Sequence, residues 1–258
     1  MMEVTVIGCG NMGSAFIKGL SRTGTHDVTA CDPDPSALDS VAPYCQQTTT
    51  TVDDAVESDL VVLTVKPNAV DDVLQAIDLS SDQTLVTAAA GVTTEFVEAR
   101  TDATVVRIMP NLPAETGNMA AAVAGDKPDA DVRQLLDSLG EAVEIDEGLM
   151  DTATALNGSG PAFVFYLIKA MKQAGVEEGL SADDAELLAA QTFKGAAETV
   201  LQSERDVDEL IEAVCSPKGT TIEGMTVLRE SDVETEIGNA LFAASDRARE
   251  LSEEYDSE

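Results

Sequence analysis

Residues 2–13 read MEVTVIGCGNMG, and this stretch decides the fold. The alternating, β-branched run at its start predicts a strand, and the helical spacing of apolar residues after it predicts a helix. Between them stand Gly8, Gly10 and Gly13 in the spacing Gly-x-Gly-x-x-Gly. Such glycines allow a tight turn and let a pyrophosphate approach backbone N–H groups at the helix N-terminus. The stretch therefore predicts the first βαβ unit of a Rossmann-type domain.

An acidic residue, Asp32, follows the second predicted strand at residues 28–31. It lies about 20 residues after the glycines, where an acid accepts hydrogen bonds from a ribose 2′-hydroxyl and repels a 2′-phosphate. We expect Asn11 and Met12, inside the glycine motif, to contact the cofactor as well. An ordinary surface aspartate is the alternative reading of Asp32.

Strand and helix patterns go on alternating to about residue 148. Further strands are predicted at residues 60–65, 84–88, 104–108 and 142–145. Helices are predicted at residues 34–42, 68–77, 93–100 and 130–140. This alternation implies right-handed crossovers, and hence an α/β, doubly wound and mostly parallel sheet over residues 1–148.

From residue 149 the chain is rich in Ala, Leu and Glu at helical spacing. Residues 149–258 therefore predict an all-helical domain. Its long apolar helices cannot be covered within so small a unit, which predicts self-association.

Charge restricts the choice of partners. The chain has 258 residues, with 48 acidic against 15 basic side chains and a net charge of -33. Such a field repels phosphate backbones and anionic lipids, so we expect neither nucleic acid nor membrane as a partner. Acid spread along the whole chain predicts a protein from a halophilic organism with a salt-rich cytoplasm; an acidic mesophilic protein is the alternative. With neither a secretory pattern nor a long apolar run, a cytoplasmic location is predicted.

The sequence has few of the residues that metal binding or histidine-based catalysis requires. The cysteines Cys9, Cys31, Cys45 and Cys215 show no metal-ligand or disulfide spacing, so we expect small, buried thiols and no metal site. The single histidine, His26, lies in a polar stretch and is predicted to be solvated.

Ligands of an open α/β sheet bind beyond the carboxyl ends of its strands. Two segments in such positions predict cofactor contacts, and their candidate residues are Val65, Lys66, Pro67, Ala89 and Gly91. Arg107 ends another strand, and two alternatives stay open for it: binding a carboxylate ligand or pairing with a neighbouring acid.

Two segments of the helical half are not explained by packing: residues 155–162, with a Gly/Ser/Pro turn, and residues 214–222. In the second, Pro217 and Gly219 precede two threonines and a helical pattern. This describes a helix N-terminus whose free donors can hold a small carboxylate. Plain capping of the helix by Thr220 or Thr221 is the alternative.

In order along the chain, these segments resemble the pyrroline-5-carboxylate reductase family. The matching residues are 8–13, 65–67, 89–91, 107–111, 158–162 and 216–221. The resemblance implies hydride transfer from NADH or NADPH to the C=N carbon of L-1-pyrroline-5-carboxylate, giving L-proline in the last step of proline biosynthesis. It also implies a helical domain that forms a homodimer, and rings of dimers in some members.

The resemblance further assigns the substrate site. It implies that Gly219 and Thr220 bind the carboxylate through backbone N–H groups and that Thr221, the catalytic residue, contacts the imine nitrogen through its hydroxyl. Glu204 matches a family acid near the substrate. The chain departs from the family at Lys218, where glycine is usual. It departs again at residues 32–34, Asp-Pro-Asp, which predict that NADH is used at least as well as NADPH.

Two rival functions remain open at this point. One is another Rossmann imine or β-hydroxyacid oxidoreductase, with Lys169 or Lys172 as its catalytic lysine. The other is a non-catalytic NAD(P)H sensor.

Overall fold

A single mixed sheet organises the N-terminal part of the computed structural model, which describes residues 1–54 and 56–255. Within these residues the strand order is β3-β2-β1-β4-β5-β6-β7-β8. The strands are β1 Met2–Ile7, β2 His26–Cys31, β3 Gln47–Thr49, β4 Leu60–Leu63, β5 Thr84–Thr87, β6 Thr104–Met109, β7 Met119–Gly125 and β8 Gly140–Glu144. The β6–β7 pair is antiparallel and the other pairs are parallel.

Short helices accompany the sheet and long ones follow it. The helices are α1 Asn11–Ser21, α2 Pro35–Val41, α3 Val70–Ala76, α4 Thr94–Glu98, α5 Ala130–Asp137, α6 Met150–Ala153, α7 Gly160–Glu177, α8 Ala182–Gln202, α9 Val207–Val214, α10 Thr220–Arg229 and α11 Val233–Tyr255. A π-helical turn, Thr154–Gly158, joins α6 to α7. The predicted fold class, a doubly wound and mostly parallel sheet followed by helices, is confirmed.

Alternate residues of the strands supply two apolar cores, one on each face of the sheet. Val62 packs with Phe16 of α1 and Leu135 of α5. Its neighbour Leu63 packs with Leu74 of α3 on the opposite side. This period of two places helices on both faces, which is the doubly wound arrangement.

Two strands were not predicted, β3 and β7. β3 is a short polar segment at the edge of the sheet. β7 reads MAAAVAG, and alanine and glycine have low strand propensity. It is a strand because its residues 121–124 are buried between two neighbouring strands, so packing overrides local preference.

His26 is buried, so its predicted solvation is wrong. It is the first residue of β2 and pairs in register with Met2. Its Nδ1 lies 3.2 Å from the Thr23 hydroxyl and 2.9 Å from the Thr25 hydroxyl. The strand begins earlier than the polar sequence suggested, which turns the ring inward.

The chain divides into two compact units. The first contains residues 1–161 and the end of the chain from Phe242, and the second contains Ala162–Leu241. The end of α11 belongs with the first unit, where Ser252 Oγ donates to Asp151 Oδ1 at 3.0 Å. This grouping differs from the predicted domains, 1–148 and 149–258, which stay a prediction.

The second unit has very little interior of its own. Between Ala162 and Leu241 only Ala185 and Ala189 are buried. Large apolar side chains are exposed instead, among them Phe165, Tyr166, Leu187, Leu188, Leu201, Val214 and Val227. An exposed apolar surface of this extent is typical of an interface with another chain. No helix in the described part of the chain has the length and hydropathy needed to span a membrane.

Candidate cofactor-binding and substrate-binding sites

The glycine loop between β1 and α1 is shaped by close backbone packing. Gly8 has φ +96°, and a Cβ there would lie 2.8 Å from Val65 Cγ1. A Cβ on Gly13 would lie 1.8 Å from the Gly8 carbonyl oxygen. Gly10 is different, because nothing lies within 4 Å of where its Cβ would be. The loop is therefore tightly closed on the protein side and open at Gly10.

The N-terminus of α1 is suited to an anion. Gly10 caps the helix without a side-chain acceptor, and the first turn contains no acidic residue. The first turns of α8, α9 and α11 each carry two acidic residues. Free N–H groups and an uncompensated helix dipole fit the pyrophosphate of a dinucleotide. Asn11 is exposed there, whereas the Met12 side chain packs against the core.

The structure brings Asp32 to this loop. Its Oδ2 accepts a hydrogen bond from the Cys9 N–H at 2.7 Å, and its Oδ1 accepts one from the Asp34 N–H at 2.9 Å. Each carboxylate oxygen can accept a second bond, so both remain able to bind ribose hydroxyls. Asp32 is thus held in a fixed orientation beside the glycines, where the sequence placed it.

Thr64 is a residue of this site that the sequence analysis missed. Its hydroxyl donates to the carbonyl oxygens of Gly8 at 2.7 Å and Ile7 at 3.1 Å. The signal was available in principle, because a polar residue follows β4 directly and β4 pairs with β1. Finding it required the register of two strands that are far apart in sequence.

The other predicted cofactor residues lie at the carboxyl ends of β4 and β5. Lys66 is exposed, and its ammonium group makes no ion pair or hydrogen bond with the described residues. Pro67 opens a short 3₁₀ turn, Pro67–Ala69. Ala89 is in the core. Gly91 has φ +79°, and its Cβ position is 3.3 Å from backbone atoms of Leu251 and Ser252 in α11. Packing alone therefore explains Ala89 and Gly91, and their cofactor role stays a prediction.

Arg107 pairs with an acid of the protein. Its guanidinium donates to Glu147 Oε1 at 2.8 Å, and the Arg107 side chain is only 3% exposed. Thr94 also donates to the same carboxylate, through its N–H group at 2.8 Å and through its hydroxyl. Burial opposes ionisation of Glu147, but the hydrogen bonds from Thr94 and Arg107 outweigh it and lower its pKa. Of the two alternatives for Arg107, the structure shows the internal pair.

Asn111 and Asn157 attach the Gly/Ser/Pro segment to the end of β6. Asn157 Nδ2 donates to the carbonyl oxygens of Met109 at 2.6 Å and Ala120 at 2.8 Å. Asn111 Nδ2 donates to the Asn157 carbonyl at 3.0 Å. Asn157 lies in the π-helical turn, a feature often found at functional sites.

In the second unit, residues 216–219 form a tight turn before α10. The Gly219 N–H donates to the Ser216 carbonyl oxygen at 2.9 Å, and Lys218 has φ +62°. Proline at the second position and positive φ at the third are features of a type II turn, whose third position favours glycine. Lys218 therefore adopts the backbone conformation that the family's usual glycine adopts freely.

Gly219, not a threonine, caps α10, and no side chain accepts at the cap. Capping by Thr220 or Thr221 is therefore not what the structure shows. Both threonines lie in the first turn, and neither hydroxyl has a hydrogen-bond partner among the described residues. Because the Gly219 N–H already donates within the turn, the donors left for a carboxylate are the N–H groups of the first turn, from Thr220, Thr221 and Ile222.

The remaining residues singled out from the sequence are now placed. Glu204 is exposed between α8 and α9 and makes no ion pair or hydrogen bond with the described residues. Lys172 forms an ion pair with Glu186, whereas Lys169 is exposed.

The thiol of Cys9 is buried in the glycine loop, and burial together with the Asp32 charge raises its pKa to about 12. Within residues 1–54 and 56–255 no group of three His, Cys, Asp or Glu residues is arranged to hold a metal ion.

Two family descriptions match successive parts of the chain. Residues 3–91 match the family described as NADP oxidoreductase coenzyme F420-dependent. Residues 147–251 match pyrroline-5-carboxylate reductase dimerisation. The second match and the exposed apolar helices agree, and the predicted self-association is confirmed.

Relatives and solved structures extend the comparison to the whole chain. A pyrroline-5-carboxylate reductase of Methanosarcina acetivorans is 37% identical, with 96% of this chain and 97% of the relative covered. The Pisum sativum enzyme is 35% identical over 95% and 94%. The solved structure of the Coxiella burnetii enzyme superposes with a TM-score of 0.85 at 31% identity, covering 96% and 98%. The Plasmodium falciparum enzyme, with NADP bound, gives 0.81 at 26% identity, covering 97% and 98%.

Identity at this level over nearly the full length of both sequences confirms the resemblance found in the motifs: the chain belongs to the pyrroline-5-carboxylate reductase family.

Proposed function

We propose that this chain reduces L-1-pyrroline-5-carboxylate to L-proline with NADH or NADPH, the last step of proline biosynthesis. The observation that carries the proposal is the 37% identity to a named reductase over 96% of the chain. Both halves of the required binding machinery support it. The α1 N-terminus lacks a side-chain cap and is open at Gly10, and the α10 N-terminus has no side-chain acceptor.

The first unit holds the cofactor in this proposal. The N–H groups at the start of α1 receive the pyrophosphate, and Asp32 accepts hydrogen bonds from the adenosine ribose. The side chain of Lys66 has no partner within residues 1–54 and 56–255, and it is available to the second ribose. A bound reduced nicotinamide supplies a hydride to the imine carbon.

The second unit holds the substrate. The N–H groups of Thr220 and Thr221 receive the carboxylate, favoured by the helix dipole. The Thr221 hydroxyl, which has no partner within the described residues, hydrogen-bonds the ring nitrogen. The ring nitrogen is protonated from water before the reduction, and it would keep that proton in the amine product. A threonine hydroxyl is a weak acid, so Thr221 contributes mainly by orienting the ring. Glu204 remains the candidate acid near the substrate.

Assembly and location complete the proposal. We infer a homodimer that can assemble further into a ring of dimers, supported by the exposed apolar helices of the second unit. The charge of -33 supports a salt-rich cytoplasm and argues against nucleic acid as a partner.

The test is oxidation of NADH and NADPH with pyrroline-5-carboxylate, at low and at molar KCl, with proline measured as product. We expect turnover that rises with salt. A Thr221→Ala variant should lose most of the rate, on the order of ten- to a hundredfold, while the Thr221→Ser control keeps the hydroxyl and most of the activity. A folded, cofactor-binding chain that forms no proline would overturn the proposal. The β-hydroxyacid alternative predicts activity lost in Lys169→Ala and retained in Thr221→Ala.

A further inference from the structure

Carboxylates of Asp32 and Asp34 occupy three hydrogen-bond donors at the end of β2. Asp34 caps α2, and its Oδ1 accepts from the Ser36 N–H at 2.9 Å and from the Ser36 hydroxyl at 2.8 Å. The Asp34 N–H itself donates to Asp32 at 2.9 Å. Three donors next to the ribose-binding acid are thus satisfied by carboxylates of the protein.

The same region contains no cation to offset them. Residues 23–65, which include β2, α2, β3 and β4, hold eight acidic residues and neither lysine nor arginine. No ion pair in the described part of the chain involves Asp32 or Asp34. The Ser36 hydrogen bonds lower the pKa of Asp34, which keeps this exposed carboxyl ionised. A group with two negative charges placed here meets two fixed carboxylates, and the N–H groups of Asp34 and Ser36 and the Ser36 hydroxyl are already engaged.

We propose that Asp34 is the residue that makes this chain discriminate against a 2′-phosphate, and so prefer NADH over NADPH, while Asp32 is the residue that binds the ribose. This inference rests on the proposed function only in that the site is one for a nicotinamide dinucleotide. Loss of Asp32 weakens binding of any adenosine ligand, whereas loss of Asp34 strengthens binding of the 2′-phosphorylated ligand alone.

The experiment measures, by titration calorimetry, the affinity of two probes that differ only in the 2′-phosphate: adenosine 5′-monophosphate and adenosine 2′,5′-bisphosphate. Asp34→Asn removes the charge and keeps an acceptor for Ser36. Asp39→Asn is the matched control, since Asp39 is an exposed acid on the same helix with no described partner. All proteins are titrated in the same molar KCl, so that screening is equal.

We expect the wild type to bind the monophosphate more tightly than the bisphosphate. Asp34→Asn should tighten the bisphosphate on the order of tenfold and leave the monophosphate within about twofold, with Asp39→Asn changing neither by more than about twofold. Asp32→Asn should weaken both probes.

If Asp34→Asn and Asp39→Asn changed the affinity for the bisphosphate equally, only the total charge of the protein would matter, and the inference would fail. It would also fail if the wild type bound both probes equally, or if Asp34→Asn and the good capping variant Asp34→Ser both lost the monophosphate, since Asp34 would then be a structural cap. Neither probe contains the reacting group. Absence of proline formation with an intact binding pattern would therefore overturn the proposed function alone.

Discussion

The hydroxyl of Thr64 donates to the carbonyl oxygen of Gly8 at 2.7 Å, across two neighbouring parallel strands. Gly8 and Gly13 approach each other too closely to admit a side chain, and a Cβ on Gly13 would lie 2.7 Å from Thr64 Oγ1. The conformation of the glycine loop therefore depends on a residue more than fifty positions further along the chain.

Replacing Thr64 by valine keeps the shape of the side chain and removes the hydroxyl. The Gly8 carbonyl then loses its only side-chain donor among the described residues. We expect a loss of about 1–2 kcal/mol in the free energy of unfolding and weaker binding of adenosine 5′-monophosphate. Thr64→Ser, the control, should stay close to the wild type in denaturant titration. A valine variant as stable as the wild type would show that the bond contributes nothing.

Alanine at Gly13 and at Gly10 should affect different properties: stability at Gly13 and nucleotide affinity at Gly10. At Gly13 the new Cβ would lie 1.8 Å from a backbone oxygen, so the loop must move and the protein should be destabilised by about 2 kcal/mol or more. At Gly10 the Cβ meets nothing within 4 Å, so the melting temperature should hold. There the methyl group instead obstructs the approach of a pyrophosphate, and nucleotide affinity should fall. Melting curves and calorimetry on the two variants separate these outcomes, and a reversed pattern would contradict the loop geometry.

Lys218 occupies the glycine-favouring position of its turn, with φ +62°. Lys218→Gly should raise the free energy of unfolding by up to about 1 kcal/mol, because glycine adopts this conformation without strain. Lys218→Asn, which also tolerates positive φ, should fall between the two, whereas Lys218→Val should destabilise. The same variants test the charge of Lys218: if it attracts the anionic substrate, KM rises in the glycine and asparagine variants and kcat is unchanged. Unchanged KM would assign Lys218 no part in binding.

His26 gives stability a dependence on mildly acidic pH. Burial lowers its pKa below the value of 6.5 that it has when exposed. The unfolded chain therefore binds a proton at His26 more readily than the folded chain, so stability is full above about pH 6.5 and falls as the pH falls below it. Denaturant titrations at pH 7 and pH 5.5 should show this loss in the wild type. In His26→Gln the difference between the two conditions should be smaller, and an equal difference would mean that other groups cause it.

Sequence patterns correctly predicted the features that form within one short stretch of the chain. The first strand, the glycine spacing and Asp32 lie within a short stretch whose geometry follows from β pairing and a helix N-terminus, and the structure places Asp32 against the loop as expected. A helix N-terminus was predicted from proline, glycine and two threonines, and the structure begins α10 at Thr220.

What the sequence did not show depends on contacts between distant segments. Glu147 is forty residues from Arg107, and no spacing rule joins them. β7 is rich in alanine and becomes a strand only because two other strands flank it. His26 was misjudged because its polar neighbours hid the start of a strand. In each case the three-dimensional surroundings, and not the local propensity, determine the outcome.

The near absence of buried side chains between Ala162 and Leu241 makes folding of this unit a question of concentration. Two buried alanines cannot offset the conformational entropy of some eighty ordered residues, which costs roughly 1 kcal/mol or more for each. Another copy of the chain must cover these apolar helices. Dilution therefore favours the unfolded unit, and the melting temperature rises with protein concentration. A cell that makes little of this protein would thus hold a smaller folded fraction of it. Its total activity would therefore rise faster than linearly with the amount of protein made.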